Sequence, residues 1–323
     1  MTCSVSTRLA SSSRLASALA GASLAGLALL GCGSNSAGDA PASGSANAAS
    51  TSIPGIVVGI PVDAADVAKV VNPKKEEPYT GPTGTLRGTI RISGDPPPDL
   101  AVKFPEAPCR GEAMAVHGKL FRVGQDSALA DALVAVTGYR GYVPAKGEAV
   151  KTTIHQCALA RRTVVAMFGQ RIEVANLDQV DSYMPYLDGA PTSAILVAIP
   201  RGDAVRLYPP QAGHYLLRDQ LPNDHMTADV YVLAYGTTDV TGLDGKYEIT
   251  GIPVGQVEVN AMLPATKKTA KQRMEIKPGD NTLDLTITFD ASKDDPAKKP
   301  KTTDAQPANA SPTAAPKDTK PPG

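Results

Sequence analysis

The hydrophobic pattern between about residue 84 and residue 290 predicts many short β-strands. Apolar or β-branched residues alternate with polar ones over short stretches, and glycine, proline or polar turns separate most of them. A period of two is typical of half-buried strands. The predicted strands are residues 85–92, 120–123, 132–137, 152–158, 163–168, 171–174, 194–199, 204–207, 214–217, 229–234, 246–249, 256–261, 271–276 and 281–289. Many short strands with frequent turns favour an all-β fold built from antiparallel β-sandwiches.

Helical signals are few along the chain. Residues 113–116 and 128–131 predict single helical turns, and no segment has the period of a long amphipathic helix. Residues 53–71 are apolar and rich in valine, which leaves an edge strand or a short helix open. The polar stretch 73–78 then predicts a linker. The strand-rich region of roughly 200 residues can bury one large core or two small ones.

The first 32 residues have the pattern of an export signal. Arg8 and Arg14 precede an apolar run over residues 15–30, and Gly31 and Cys32 follow it. This resembles a bacterial lipoprotein signal peptide, which implies cleavage before Cys32 and attachment of diacylglycerol to that cysteine. A transmembrane anchor is the alternative, but the run is short and glycine-rich for the ~20 apolar residues of a span. Gly33 stands where inner-membrane retention signals usually have aspartate, so the resemblance implies the outer membrane of the bacterial cell envelope.

The lipoprotein resemblance also bears on the four cysteines of the chain. Cys3 would leave with the signal peptide and Cys32 would carry the lipid. Cys109 and Cys157 would then be the only thiols in an oxidising compartment, and we expect them to form a disulfide. Closing a loop of that length should stabilise the fold by up to about 4 kcal/mol. A catalytic or metal-binding thiolate is the alternative.

Composition adds a flexible segment at each end of the strand-rich region. Residues 33–50 are almost all Ala, Ser, Gly or Asn, and the chain after Asp290 is rich in Lys, Pro, Ala, Asp and Thr. Such segments bury too little apolar surface to offset their ordering entropy. The predicted organisation is a signal peptide over 1–31, a tether and linker over 32–83, one sandwich over 84–235, a second over 236–290, and a disordered tail over 291–323.

Charge limits the classes of partner. Basic and acidic residues number 32 each, and the strand-rich region has no cluster of Lys or Arg. Neither a nucleic-acid binder nor a polybasic membrane binder is therefore expected. The expected partners are the membrane, through a lipid on Cys32, and an envelope protein or glycan.

Residues 241–259 resemble a carboxypeptidase regulatory-like, or transthyretin-like, module. Asp244 and Gly245 form a tight-turn signal, Tyr247 follows in a strand, and an Ile-Pro-Val-Gly turn over 252–255 leads into the next strand. The resemblance implies a structural β-sandwich over residues 236–290 without peptidase chemistry.

Residues 88–234 resemble secreted cupredoxin-like proteins that are fused to such a module. The order of Cys109, the strand 133–136, Gln156-Cys157, the segment 169–178 and the segment 225–230 carries the resemblance. Copper-binding members have an Asn-x-Asp-x-x-x-His segment and a later Cys-x-x-His-x-x-Met segment. These supply the two imidazoles, the thiolate and the weak axial thioether that a blue-copper centre needs.

The copper ligands of that pattern are mostly missing here. Ser182 stands at the first histidine position, Asn223 at the second and Gln220 at the cysteine position, so only Met226 is retained. No cysteine follows Cys157, which excludes a blue-copper centre. Imidazole and thioether groups could still form a remodelled soft Cu(I) site. Its candidate ligands are His225, Met226, His214 and Met184.

Other site chemistry has less support. We expect His117 and His155 to be isolated, solvated or hydrogen-bonded strand residues. Asn176 with three nearby aspartates lacks the ligand spacing of an EF-hand, so calcium is not expected. Motifs for serine hydrolases, zinc proteases and phosphate-binding loops are absent. Ser182 and His225 could meet near an aspartate, but their spacing gives no support for a catalytic triad.

The sequence thus predicts a lipid-anchored cell-envelope β-sandwich protein that acts as a non-catalytic binding or structural module without a cofactor. The alternative is a copper-binding electron-transfer or copper-carrier protein with an altered ligand set.

Overall fold

The computed structural model describes residues 60–190 and 195–298. The predicted signal peptide, Cys32, the tether up to residue 59 and the tail from residue 299 lie outside these residues. The described elements are α1 (Ala64–Val71), β1 (Thr83–Gly94), α2 (Arg110–His117), a 3-10 helix (Gln125–Ser127), β2 (Leu133–Thr137), β3 (Ala149–His155), β4 (Ala158–Leu159), β5 (Thr163–Met167), β6 (Arg171–Asn176), β7 (Pro185–Asp188), β8 (Val205–Leu207), β9 (Gly213–Asp219), β10 (Thr227–Leu233), β11 (Thr238–Val240), β12 (Lys246–Pro253), β13 (Gly255–Leu263), β14 (Lys268–Ile276), β15 (Gly279–Thr282) and β16 (Leu285–Phe289). None of the described helices has the length and apolar character to cross a membrane.

The predicted all-β sandwich fold is confirmed. Strands β1, β2 and β11–β16 form one sandwich, here called the terminal sandwich, and β3–β10 form another, the inserted sandwich. In the terminal sandwich, β12, β1, β15 and β16 make one sheet, and β11, β2, β13 and β14 make the other. Strand β13 shows why these residues pair as strands. Val257, Val259, Ala261 and Leu263 occupy every second position and are buried in the core between the sheets.

The inserted sandwich has two four-stranded sheets in the orders β4-β3-β6-β8 and β5-β10-β9-β7. Strands β3 and β6 pair in parallel, as do β5 and β10, and the remaining pairs are antiparallel. The sheets are therefore mixed rather than purely antiparallel. Apolar residues at alternating positions of β6 and β10, such as Ile172, Val174 and Val230, face one another in the core.

The strands divide between the two cores differently from the predicted boundary between residues 235 and 236. Strand β1 pairs with β12, β15 and β16, and β2 pairs with β11 and β13. The inserted sandwich thus lies between two strands of the terminal sandwich in the chain. The physical reason is that Leu86, Ile90 and Val134 bury their side chains against the C-terminal strands. Hydrophobic periodicity indicates that a strand has an apolar face, but it does not identify the neighbouring strand with which that strand pairs.

Folded structure is also present on both sides of the predicted strand-rich region, before residue 84 and after residue 290. Within the predicted linker, α1 begins after Asp63, whose carboxylate accepts a hydrogen bond from the Ala65 N–H at 2.7 Å. Val67 and Val71 of α1 pack against the core of the inserted sandwich. Residues 291–298 of the predicted disordered tail form turns, and Asp294 is buried with Lys268 Nζ 3.1 Å from its carboxylate.

A buried ion pair joins the two sandwiches. The Asp131 carboxylate, just before β2, accepts hydrogen bonds from Arg122 Nε at 2.7 Å and Nη2 at 2.8 Å. The same carboxylate accepts one from the Arg162 N–H at 2.9 Å, and the Asp131 carbonyl accepts one from Thr163 Oγ1 at 2.8 Å. Because Thr163 begins β5, this cluster fixes the start of that strand of the inserted sandwich to the terminal sandwich.

Candidate functional site at the loop end of the inserted sandwich

The loops that carry the predicted site residues meet at one end of the inserted sandwich. The β3–β4 turn, the β6–β7 connection and the β9–β10 connection converge there, and this region is called the loop end. Asp178 of the second loop bonds to the first loop, and the Met184 N–H donates to Asp219 Oδ1 at 2.8 Å at the start of the third. His225 of the third loop contacts Cys157 of the first.

The buried Asp178 carboxylate organises the loop end. Its Oδ1 accepts a hydrogen bond from the Gln156 N–H, and its Oδ2 accepts one from the Cys157 N–H at 3.0 Å and one from the Tyr183 hydroxyl at 2.5 Å. Gln156 and Cys157 both have positive φ, 49° and 58°, so the carboxylate holds an unusual turn in place. Burial and the adjacent Asp178 raise the pKa of Tyr183, which keeps its hydroxyl protonated as a donor.

Asn176 completes this network from the end of β6. Its Oδ1 accepts a hydrogen bond from the Asp178 N–H at 3.0 Å, and its Nδ2 donates to the carbonyl oxygens of Asp181 at 2.7 Å and Ala198 at 2.8 Å. The network therefore satisfies its buried polar groups internally. A filled network of this kind has no open position for a metal ion.

The predicted disulfide between Cys109 and Cys157 is present. The Cα atoms lie 5.4 Å apart, within the usual range for a disulfide. Cys109 directly precedes α2, so the bond ties that helix to the β3–β4 turn. Asp181 Oδ2 lies 3.9 Å from Cys157 Sγ. Because both sulfurs are in the disulfide, neither is a thiolate that could act as a nucleophile or a metal ligand.

Two buried histidines lie beside the disulfide. His225 Nε2 is 2.8 Å from the Cys157 carbonyl oxygen, so this nitrogen carries a proton and donates. The centroid of its ring lies 5.7 Å from that of Phe104 and 5.9 Å from that of His117. The expectation that His117 is an isolated strand residue is wrong. It lies on α2, only 3% of its surface is exposed, and its Nε2 has no hydrogen-bond partner in the described part of the chain.

Burial is the main reason that His117 stays neutral. Burial, followed by electrostatic interactions with Arg162, His225 and Arg122, lowers the pKa of the ring from 6.5 to about 3. A helical spacing in the sequence could have revealed this position. Ala113, Val116 and His117 are the buried residues of α2, and they follow the i, i+3, i+4 rule of a core-facing helix.

The candidate copper ligands have different surroundings in the structure. Met226 is buried in the core of the inserted sandwich, whereas the imidazole of His225 bonds to the backbone of Cys157. His214 lies on β9, where its Nε2 is 2.7 Å from Asp229 Oδ1 and its ring centroid is 4.7 Å from that of Tyr231. Met184 is half-buried just before β7.

The residues at the cupredoxin ligand positions do not fit copper either. Ser182 is exposed, and Asn223 Nδ2 donates to Asp219 Oδ2 at 2.7 Å. Among the described residues, one group of three His, Cys, Asp or Glu side chains brings its ligand atoms within 4.8 Å of one another. It consists of Asp181 and the two disulfide cysteines, so it offers one carboxylate and no thiolate.

The residues weighed for catalysis are not arranged as a triad. Within residues 60–190 and 195–298, no hydrogen bond joins Ser182 to His225. The histidine is buried under Phe104 and α2, and its Nε2 proton is committed to the Cys157 carbonyl oxygen. That imidazole cannot take a proton from an exposed serine in this arrangement.

Cavities away from the loop end include an aromatic groove and a cleft. The groove has a volume of about 580 Å³ and is lined by Tyr139, Tyr142 and Tyr235 together with Arg140. The cleft has a volume of about 220 Å³ and lies where β3 and β5 of the inserted sandwich approach β11 of the terminal sandwich.

The comparisons with known proteins find likeness in solved structures. No family model matches the sequence, and no curated protein matches it. Amicyanin from Paracoccus versutus is 18% identical, with a TM-score of 0.23, and the match covers 31% of this chain and 96% of amicyanin. A copper-containing nitrite reductase from Thermus scotoductus is 14% identical, with a TM-score of 0.24, and the match covers 30% of this chain and 24% of the reductase. Each match covers less than a third of this chain, and neither assigns a role to any residue.

Proposed function

We propose that this protein is a lipid-anchored cell-envelope protein that acts as a non-catalytic binding or structural module. The Asp178 network carries the proposal. Its polar groups form hydrogen bonds with one another at the loop end. A copper protein of similar sequence pattern would instead have side chains there that are available to bind the metal. The resemblance of residues 1–32 to a lipoprotein signal peptide supports attachment through Cys32, in the outer membrane of the bacterial envelope.

We further propose that the inserted sandwich is a cupredoxin-like domain that has lost its metal site, and that the terminal sandwich is a transthyretin-like module. The turn geometry supports the second assignment. Gly245 has φ +68° and its N–H donates to the Gly242 carbonyl oxygen at 2.9 Å, as a tight turn before a strand requires. Tyr247 is buried, and its hydroxyl donates to the Leu283 carbonyl oxygen at 2.7 Å. Gly255, with φ +122°, is the first residue of β13.

The aromatic groove is the surface that suits an envelope protein or glycan partner best. Tyr139, Tyr142 and Tyr235 are each half-buried, which leaves part of every ring available for contact. Tyrosine combines a flat apolar ring with a hydroxyl, so a groove of tyrosines can contact both apolar and hydroxyl-rich partners. Arg140 at the same groove adds a charged donor.

Copper handling is the alternative function, and the geometry gives it less support. The four candidate ligands lie in separate environments, and the imidazole of His225 is already hydrogen-bonded to the Cys157 carbonyl oxygen. A copper carrier needs soft ligands that converge on one point.

Membrane fractionation with a matched pair of variants tests the anchoring part of the proposal. Cys32→Ala should abolish incorporation of labelled palmitate and release the chain from the membrane fraction. The matched control, Cys3→Ala, changes a cysteine of the predicted signal peptide and should leave both unchanged. Continued palmitate labelling of Cys32→Ala would contradict lipid attachment at that residue.

Site-specific photo-crosslinking in intact cells tests the binding part. A photoreactive residue at Tyr142 should give a discrete higher-mass adduct, whereas the same residue at exposed His155 should not. Equal adduct patterns from the two positions would contradict a binding role for the groove.

A further inference from the structure

The cleft between the two sandwiches gathers positive charge. Lys146 from the β2–β3 connection, Lys151 from β3 and Arg161 from the β4–β5 turn all line its space of about 220 Å³. Two half-buried valines, Val150 and Val165, form part of its wall. Pockets for drug-sized ligands start at about 300 Å³, so this cleft suits a small ligand.

None of the three cations of the cleft forms an ion pair in the part of the chain that the structure describes, although the charges of Asp239 and Glu248 act on Lys146 and that of Glu173 acts on Lys151. Lys151 and Arg161 have neither a hydrogen bond nor an ion pair in the part of the chain that the structure describes. Lys146 Nζ donates to Thr250 Oγ1 at 2.7 Å, which is a neutral acceptor. Other arginines on the strands differ in this respect. Arg87 pairs with Glu248 and Asp280, and Arg171 pairs with Glu148 and Glu173.

The one carboxylate in the cleft is already engaged. Asp239 Oδ1 accepts a hydrogen bond from the Val240 N–H at 2.8 Å, and its Oδ2 accepts one from the Glu248 N–H at 2.7 Å. It therefore leaves the cleft with a net positive charge. Desolvation in the cleft lowers the pKa of Lys146, whereas the charges of Asp239 and Glu248 raise it.

We propose that the cleft between the sandwiches binds a small organic or inorganic oxyanion, with a carboxylate or phosphate group held by Arg161 and Lys151. A planar guanidinium offers paired N–H donors that match the two oxygens of either group, and a lysine ammonium adds a point charge. The valines of the wall accommodate an apolar part of an organic anion. This assignment rests on the proposed binding role and gives it a ligand class.

Calorimetric titration of the full chain in detergent, at fixed ionic strength, tests the site with two probes. Inorganic phosphate represents the phosphate class and succinate the carboxylate class. We expect saturable 1:1 binding of at least one of them, and the probe that binds identifies the class. The double variant Arg161→Gln/Lys151→Gln should bind about tenfold more weakly or worse, because it removes the charge-assisted contacts.

The matched control is Arg110→Gln/Lys271→Gln, which removes the same charge from exposed positions outside the cleft. It should bind within about twofold of the unchanged chain, since exposed charges at a distance are screened. Equal weakening in both double variants would contradict a local site. The absence of saturable binding of either probe up to about 10 mM would also contradict it, because even a millimolar site would then be filled. Neither result bears on palmitate labelling or crosslinking, so this proposal can fail while the proposed function stands.

Discussion

The buried His117 should make the protein acid-sensitive by a calculable amount. In the unfolded chain a histidine has a pKa near 6.5, whereas in the folded protein the pKa of His117 is about 3. Between these two pKa values, the imidazole of His117 therefore binds a proton in the unfolded chain but not in the folded protein. The stability contributed by the neutral ring is complete above about pH 6.5 and is lost as the pH falls towards 3.

The magnitude follows from proton linkage. One pKa unit corresponds to about 1.4 kcal/mol, so the shift of His117 should cost about 3 kcal/mol of unfolding free energy between pH 7 and pH 4. This is a large part of the typical stability of about 5–15 kcal/mol. The value needs little correction for solvent screening, because only 3% of the side-chain surface is exposed.

Urea denaturation of His117→Phe isolates this contribution. Phenylalanine keeps an aromatic ring beside His225 and removes both the titration and the unpaired Nε2. The chain has no tryptophan, so tyrosine emission and circular dichroism follow the transition. Between pH 7 and pH 4 the variant should lose about 3 kcal/mol less than the unchanged protein.

The matched control is His155→Phe, since His155 is exposed on β3. Carboxylates and the remaining histidines titrate in all three proteins, so their contributions cancel in the comparison. His155→Phe should follow the unchanged protein at both pH values. If His117→Phe also ran parallel to it within about 1 kcal/mol, the linkage reasoning for His117 would be refuted.

Three further stability predictions follow from the contacts. Replacing both disulfide cysteines with serine should lower stability by up to about 4 kcal/mol, because the bond closes a loop with a sequence separation of 48; an unchanged melting temperature would contradict this. Asp178→Asn should cost about 2–4 kcal/mol by facing an amide donor towards one of the two backbone N–H groups that the carboxylate accepts from, while Asp188→Asn, on an exposed pair with Arg218, should cost less than about 1 kcal/mol; similar melting curves for the two variants would contradict the role of the network. Asp131→Asn should cost about 3–5 kcal/mol in urea denaturation, because it leaves the buried Arg122 without its counter-charge; a loss no larger than that of the exposed control Asp99→Asn would contradict the joining role of the pair.

Strand positions could be predicted from the sequence because strand burial is a local signal. Residues 256–261 and 229–234 alternate in polarity, and both lie in strands of the structure. Two short strands, β7 (Pro185–Asp188) and β11 (Thr238–Val240), escaped prediction, since three or four residues show little alternation.

Other segments take a conformation that distant contacts impose. Residues 120–123 were expected to form a strand, but among them only Val123 makes an isolated bridge, to Leu129. Residues 128–131 were expected to form a helical turn. They are instead extended at Ala128 and left-handed at Asp131, with φ 60°, because Arg122 and Arg162 hold the Asp131 side chain. No local propensity reports such contacts.

The sequence predicted which residues belong to the candidate site but not how they are arranged. The missing copper ligands follow from the cupredoxin-like resemblance, and the disulfide pair follows from the two cysteines that the lipoprotein resemblance leaves unassigned. The convergence of His117 on His225 depends on the disulfide that anchors α2 over the loop end, and the partner of Asp178 depends on a turn more than 20 residues away in the chain. Spacing in one sequence gives no access to either.

A copper titration of the metal-free full chain in detergent tests the central claim most directly, namely that the loop end is a closed hydrogen-bond network and not a copper site. Bound Cu(I) and Cu(II) are measured per chain for the unchanged protein, for His225→Ala and for the matched control His214→Ala on the surface of β9. The account predicts no stoichiometric copper in any of the three. One copper per chain that is lost in His225→Ala and kept in His214→Ala would contradict it and establish a remodelled copper site.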